Sequence, residues 1–149
     1  MDTLLILLRF VREGKGPAMR RFSYERRLDW QEFHRARAGF IPRSPEDQWL
    51  VLHRGGWLAF YRSGDSRLVY RVSFSNLEGA FQATRALVNA SPETVTPLPD
   101  SCEARILDCL IDRLLLGRPA VFPALPGESP EQNRLTERIW MGRSALSAV

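Results

Sequence analysis

The sequence predicts an α+β domain, an antiparallel sheet of three to five strands with helices packed on one of its faces. Three observations carry this: closely spaced strand-like segments between Trp49 and Phe74 divided by glycine turns, capping boxes ahead of amphipathic stretches, and a composition suited to one globular core. The chain has 149 residues, 44% hydrophobic and 26% charged, close to the averages for soluble globular domains. A chain of this length buries roughly 70% of the surface its unfolded form exposes, enough to fold without metal or disulfide staples. Residues 1–149 are therefore read as one domain, with 118–149 a proline-rich segment plus a C-terminal helix.

Residues 3–11 form a dense apolar run, a buried strand or one side of a short helix, and periodicity does not decide between them. Arg12 to Pro17 end it with loop chemistry, Gly14-Lys15-Gly16 included. Residues 20–24 suit an edge strand. Asp29-Trp30-Gln31-Glu32 has the spacing of a capping box, predicting a short helix to about Ala38 before Gly39 and Pro42 stop it.

Segments 49–54, 57–63 and 67–74 are rich in aromatic and branched residues. Gly55-Gly56 between the first two signals a two-residue hairpin, because both positions take positive φ freely. It pairs Arg54 with Trp57, Leu52 with Ala59 and Val51 with Phe60. A three-residue loop at Gly64-Asp65-Ser66 then sets Arg62 opposite Leu68 and Phe60 opposite Tyr70. Alternation gives an apolar face containing Trp49, Val51, Leu58, Phe60, Leu68, Tyr70, Val72 and Phe74. The opposite face holds Arg54, Trp57, Tyr61, Arg67, Val69 and Arg71. A loop of two or four residues would flip the third strand and turn Arg67 and Arg71 inward, where an unpartnered guanidinium costs several kcal/mol, so three is preferred.

Ser75-Asn76-Leu77-Glu78 resembles a capping box, and Leu77, Ala80, Phe81, Thr84, Leu87 and Val88 follow at helical spacing, predicting a helix over 77–90. The connector 91–100 holds Pro92, Pro97 and Pro99. A second helix is expected over 101–116, capped by Asp100 or Ser101 and ended by Gly117 and Pro119. Its apolar residues nearly encircle it, as in a helix central to a core or clamped in an interface. Asp108 and Asp112 stand four apart and, with Glu103 and Arg105 or Arg113, form its expected solvated seam. After the extended 118–127, Ser129-Pro130-Glu131-Gln132 combines an N-cap, proline at the first helical position and a capping-box glutamine. That helix is expected from 130 to about 145, with Leu135 and Ile139 inward and Trp140 or Leu146 as further candidates.

The net charge is +4, and 20 of the 21 basic residues are arginine. Residues 1–75 carry 14 basic against 8 acidic side chains, and 76–149 carry 7 against 9. A positive half suits an acidic partner, although +6 is modest for a nucleic-acid binder. Cys102 and Cys109 on one helix have Cα atoms roughly 10 Å apart, beyond disulfide reach, and read as small apolar groups. With only His34 and His53 besides, there is no zinc-ligand spacing, and no cofactor is expected. No stretch has the length of a membrane span, and the N-terminus lacks a basic leading region and a cleavage site, so a cytoplasmic protein with no membrane association is expected.

No G-x-S-x-G, P-loop, G-x-G-x-x-G or H-E-x-x-H motif occurs. The binding signal is stronger. Arg54, Trp57, Tyr61, Arg67 and Arg71 mix cationic forks with aromatic planes, a surface suited to bases, phosphates or an acidic protein patch. Arg20, Arg21, Arg26, Arg27, Arg35 and Arg37 form a second basic stretch, interleaved with Glu25, Asp29 and Glu32 as on a solvated helix face.

The run Gly56-Trp57-Leu58-Ala59-Phe60-Tyr61-Arg62-Ser63-Gly64, followed by Val69-Tyr70-Arg71-Val72-Ser73-Phe74, resembles a group of small uncharacterised bacterial proteins. Their pattern is a tryptophan-led strand, W-L-x-F-H-R-S-W-T-G, and an I-Y-x-V-x-F strand. Leu107 to Pro123 is similar to that group's later helix and its exit. The likeness covers about half of the chain and implies the same strand order but no activity; here Tyr61-Arg62-Ser63-Gly64-Asp65-Ser66 stands in place of H-R-S-W-T-G. The leading expectation is a non-catalytic, protein-binding bacterial protein of accessory or immunity type, with an acidic protein partner and a homodimer also allowed. The alternatives are nucleotide or single-stranded nucleic-acid binding on the same face, and a hydrolase or transferase built on Arg62, Ser63 and His53.

Overall fold

A computed structural model of the chain describes residues 17–91 and 98–142. The apolar run 3–11, Gly14-Lys15-Gly16, most of the connector 91–100 and the end of the last helix with Leu146 lie outside the described residues. Six strands, β1 (Met19–Arg21), β2 (Arg27–Asp29), β3 (Trp49–Arg54), β4 (Trp57–Arg62), β5 (Leu68–Leu77) and β6 (Ala80–Asn89), form one antiparallel sheet. The strand order is β1-β6-β5-β4-β3, with β2 pairing further along β6. The helices are α1 (Trp30–Ala36), α2 (Asp100–Leu110), continued by a π-helical turn over Ile111–Leu115, and α3 (Pro130–Met141).

The first hairpin has the expected register, with Arg54 opposite Trp57 and Val51 opposite Phe60. Gly55 and Gly56 turn it at φ of 57° and 82°. The second hairpin corrects the expected loop. Ser66 N donates to Arg62 O at 3.0 Å and Arg62 N to Arg67 O at 2.8 Å, so the loop is Ser63 to Ser66, closed by Ser66 at φ 63°. A four-residue loop alone would have turned Arg71 inward. A β-bulge prevents this: Tyr61 faces Leu68 while Phe60 faces Tyr70, leaving Val69 as the extra residue that restores the phase. Arg71 therefore keeps its expected face. Before the bulge the faces are exchanged. Leu68 shares the face of Tyr61, Val69 is buried with the main core, and Arg67 pairs with Arg62 on the helix-covered side.

The helix expected over 77–90 is instead the end of β5, a tight turn and β6. Glu78 and Gly79 take φ of 52° and 82°, the conformation of a two-residue hairpin turn, and Leu77 faces Ala80. A second bulge explains the misleading pattern. Ser73 faces Arg85 but Phe74 faces Ala83, which makes Thr84 the extra residue and sets the core face as Phe81, Ala83, Ala86 and Val88. The interrupted alternation imitates a helical period, and the sheet gains a strand beyond the expected five.

All three helices among the described residues cover the face of Trp49, Tyr70 and Phe74. The Asp29 capping box of α1 forms as expected, with Glu32 N donating to Asp29 Oδ1 at 2.7 Å and Asp29 N to Glu32 Oε1 at 2.9 Å. Phe33 on α1 stacks on Phe81 with centroids 3.9 Å apart. Helix α2 buries Ile106, Leu107, Cys109 and Leu110, and burial pushes the Cys109 thiol up to about 11, an inert apolar group. Helix α3 forms its Ser129–Gln132 capping box but turns its expected stripe of Leu135 and Ile139 outward, while Trp140, one of the further candidates, packs inward. Leu135 and Ile139 are 58% and 65% exposed, while Met141 is buried and Trp140 stacks 5.8 Å from Trp49. The inward side also carries Asn133, whose Nδ2 donates to Pro123 O at 2.9 Å, and Glu137, which accepts from Arg113 at 2.7 Å.

Candidate binding surface

The sheet face away from the helices carries most of the residues singled out by sequence. Arg71 lies over the Trp57 ring with its guanidinium carbon 4.4 Å from the centroid. Arg85 lies 5.3 Å from the same centroid. Its position follows from the register, in which Ser73 faces Trp57 on one side and Arg85 on the other. Sequence reasoning missed Arg85 because a helix was expected there. Arg54 stands opposite Trp57 at the hairpin end. Arg54 and Arg85 are exposed, Trp57 and Arg71 half-buried, and none of the three arginines has an ion pair among the described residues. Tyr61 is on this face but toward its covered end, where Leu50 is fully buried and Ala59 nearly so. Arg67 leaves the group. Its side chain faces the loop, within 3.9 Å of Asp65.

The second basic stretch is divided by strand alternation. Arg21 and Arg27 project from β1 and β2 on the outer face. Arg20 and Arg26 point toward α2, contrary to the expected solvated helix face. Arg20 meets Asp100 at 2.7 Å. Arg26 reaches Asp112 at 2.7 Å and Asp108 at 3.1 Å, and Tyr24 Oη donates to Asp108 at 2.6 Å. Asp108 and Asp112 are thus a receiver for Arg26 and Tyr24 rather than a solvated seam. Burial, reinforced by the Asp108 charge, holds the Tyr24 hydroxyl well above its ordinary value. Burial pulls Arg26 down, but its contacts with Asp112 and Asp108 outweigh this and hold it above its usual range. Through these contacts the cluster ties the sheet edge to α2.

Glu103 and Arg113, expected at the solvent edge, are 2% and 3% exposed. Glu103 accepts a hydrogen bond from Tyr70 Oη at 2.9 Å and has Arg20 at 3.8 Å. Burial, only partly offset by Tyr70 and Arg20, raises its pKa. The unfolded chain then ionises this carboxyl at a lower pH than the folded chain does. Its effect on stability is absent at low pH, turns destabilising as pH rises above the ordinary glutamate range, and is complete above the raised value. Glu103→Gln, whose amide oxygen still accepts from Tyr70, should flatten this dependence and be more stable than wild type at neutral pH. Denaturant midpoints of both proteins across pH 4 to 8 check this.

The three residues of the hydrolase or transferase reading do not assemble. His53 pairs with Leu58 beside the Gly55-Gly56 turn and meets Phe33 edge-on at 5.9 Å. Ser63 lies at the other end of the hairpin, its hydroxyl donating to Asp47 O at 2.5 Å. Arg62 lies 4.9 Å from Trp49 and 5.9 Å from Trp140. It donates to Ile139 O at 3.0 Å, a structural clasp on the C-terminal end of α3. Burial and the Arg67 charge lower its pKa.

A groove of about 480 Å³ opens where the chain between β1 and β2 leaves β6, lined by Arg21, Ser23, Tyr24, Glu25, Thr84 and Asp100 among others. Its Asp100 already accepts from Arg20 at 2.7 Å and from Ser23 N at 3.0 Å. Among the described residues no three His, Cys, Asp or Glu side chains are grouped to hold a metal ion, and no helix is long and apolar enough to cross a membrane. Comparison with protein-family models, curated proteins and solved structures finds no match. Fold and surface together define an α+β protein with a helix-covered antiparallel sheet whose opposite face is cationic and aromatic at the exposed end around Trp57.

Proposed function

We propose that this protein is a non-catalytic binding protein, a bacterial accessory or immunity-type component, that docks an acidic protein partner on the open end of its outer sheet face. One observation carries the reading: Arg71 and Arg85 both lie over Trp57, 4.4 and 5.3 Å from its centroid, with Arg54 beside it and no carboxylate among the described residues paired with any of them. Tryptophan and arginine are the residue types most enriched at interface hot spots. Guanidinium groups preset over a ring keep their forks free for bidentate contact with carboxylates. Nucleotide or single-stranded nucleic-acid binding uses the same charges, but bases need an open aromatic plane, and here guanidinium groups stand over the indole.

Capture of a partner from the native host, repeated with Arg54→Glu and Arg71→Glu, tests the proposal. Each reversal should weaken capture about tenfold, as expected when roughly 1.4 kcal/mol of attraction is lost. Capture that survives both reversals means that another surface is used. Tight binding of an oligonucleotide that falls steeply with added salt and with Trp57→Ala would favour the nucleic-acid reading instead.

A further inference from the structure

The cationic surface continues beyond Trp57 in a regular arrangement. Arg21 on β1 aligns with Leu87 on β6 and, through it, with Arg71 on β5. One row further, Arg85 on β6 aligns with Ser73, Trp57 and Arg54. Beyond the Thr84 bulge, Arg27 on β2 aligns with Gln82 and Ser75. Moving across the sheet from β1 or β2 to β3, each strand thus presents an arginine outward, except β4, which presents Trp57. Arg21 and Arg27 are exposed and, like the other three, have no ion pair among the described residues. Asp29, which follows Arg27 and Leu28 on β2, is occupied in capping α1, and Glu25 lines the groove beside Arg21.

Resting on the docking reading above, we infer that the partner segment is an acidic α-helix lying across the strands along this five-arginine band. Adjacent strands are about 4.8 Å apart, so the band is about 19 Å long from β1 to β3; Arg21, Arg71, Arg85 and Arg54 lie in two rows about 7 Å apart, and Arg27 extends the band by a further row to a width of about 14 Å. Carboxylates three and four residues apart on a helix face recur every 5–6 Å or so, close to the strand spacing. An extended chain presents same-side residues about 6.8 Å apart and falls out of step. A helix of about 13 residues covers the band. The charges are complementary, and the two half-buried residues at the centre, Trp57 and Arg71, give the band a less solvated middle where ion pairs are worth more than at an open rim.

The probe is a labelled alanine-based peptide of about 16 residues, long enough to be helical, with glutamates at i, i+3, i+4 and i+7 along one face. It is compared by fluorescence anisotropy with a peptide of the same composition whose glutamates encircle the helix, and with a single-stranded oligonucleotide. The one-faced peptide should bind at least five-fold more tightly than the encircled one. Arg21→Glu/Arg27→Glu and Arg71→Glu/Arg85→Glu should each weaken it about tenfold or more; Arg21→Gln/Arg27→Gln should give a smaller loss in the same direction, and near-UV circular dichroism verifies that the variants fold. Wild-type affinity in both the Arg21→Glu/Arg27→Glu and the Arg21→Gln/Arg27→Gln protein overturns this inference while leaving the docking proposal intact. Equal binding of the two peptides, no binding of either, or preference for the oligonucleotide also overturns it. Insensitivity to every reversal removes the docking proposal as well.

Discussion

Replacing Glu137 with alanine should lower the melting temperature by roughly 10 °C, far more than most single surface changes. The reason is the partner it leaves behind. The Arg113 side chain is 0% exposed; its Nε donates to Ala120 O at 2.9 Å and its Nη2 contacts Ala120 O and, at 2.7 Å, Glu137. Without Glu137 a buried guanidinium retains only a neutral carbonyl, and its Nη1 is already buried without a partner. Breaking a buried pair in this way costs about 3–5 kcal/mol. Glu137 is itself 25% exposed, which argues for the lower end, and about 3 kcal/mol corresponds to roughly 10 °C in a chain of this size. Arg113→Met added to Glu137→Ala should recover most of the loss, because an apolar side chain of similar length needs no counter-charge. Arg118 is the control. Its contact with Glu32 is as short, 2.6 Å, but Arg118 is 50% exposed, so Arg118→Ala should cost less than about 1 kcal/mol. Thermal unfolding of the four proteins separates burial from distance as the cause. An equal loss in Glu137→Ala and Arg118→Ala would contradict the account.

The parts of the fold legible in the sequence are those fixed by neighbouring residues. Gly55-Gly56 sets the first hairpin, and the Asp29–Glu32 and Ser129–Gln132 boxes set the starts of α1 and α3. Parity is harder to read. A single extra residue inverts every following side chain, and β5 and β6 each have a bulge. The four-residue loop at Ser63 to Ser66 and the Val69 bulge offset one another, so Arg71 keeps the face that a three-residue loop predicts, whereas Arg67, between loop and bulge, does not. At Thr84 the bulge breaks the alternation that marks a strand, and the helical spacing that results hides the Glu78-Gly79 turn and the placement of Arg85 on β6.

The exposed Leu135–Ile139 stripe of α3 has a different cause. Leu135 and Ile139 make the more apolar stripe, yet the helix turns Asn133, Glu137 and Met141 inward. A polar side chain is buried here because distant groups receive it: Pro123 O for Asn133 and Arg113 for Glu137. The same holds for Asp108 and Asp112, whose partners Tyr24 and Arg26 are 82 to 86 residues away. No spacing rule along one helix reveals such pairings. The candidate surface was legible where it depended on alternation within β3 and β4, and illegible where it depended on which strand lies beside which.

Gly39→Ala should destabilise the protein by roughly 3 kcal/mol, about 10 °C in melting temperature, whereas Gly55→Ala should cost only about 1 kcal/mol. Both glycines have positive φ, 74° and 57°, so both substitutions incur the strain of a left-handed backbone. They differ in what a Cβ meets. Nothing lies within 4 Å at Gly55, but at Gly39 the new carbon would run into the carbonyl oxygen of Val51. That oxygen cannot step aside, because it accepts from Phe40 N at 3.0 Å while Val51 N donates back to Phe40 O at 2.9 Å. Relief of the collision therefore requires losing the bridge that holds Phe40 against β3. Strand β3 is the last in the sheet, and Phe40 covers the middle of its outer edge. Opening it would expose unpaired backbone groups that can recruit a second chain. Gly39→Ala should accordingly aggregate more readily on heating than Gly55→Ala, even when both are compared at equal distance below their melting points. Light scattering during a thermal ramp measures this. Equal scattering by the two variants would mean that Phe40 does not protect the edge, and a Gly39→Ala loss no larger than that of Gly55→Ala would mean that the backbone gives way around the added carbon.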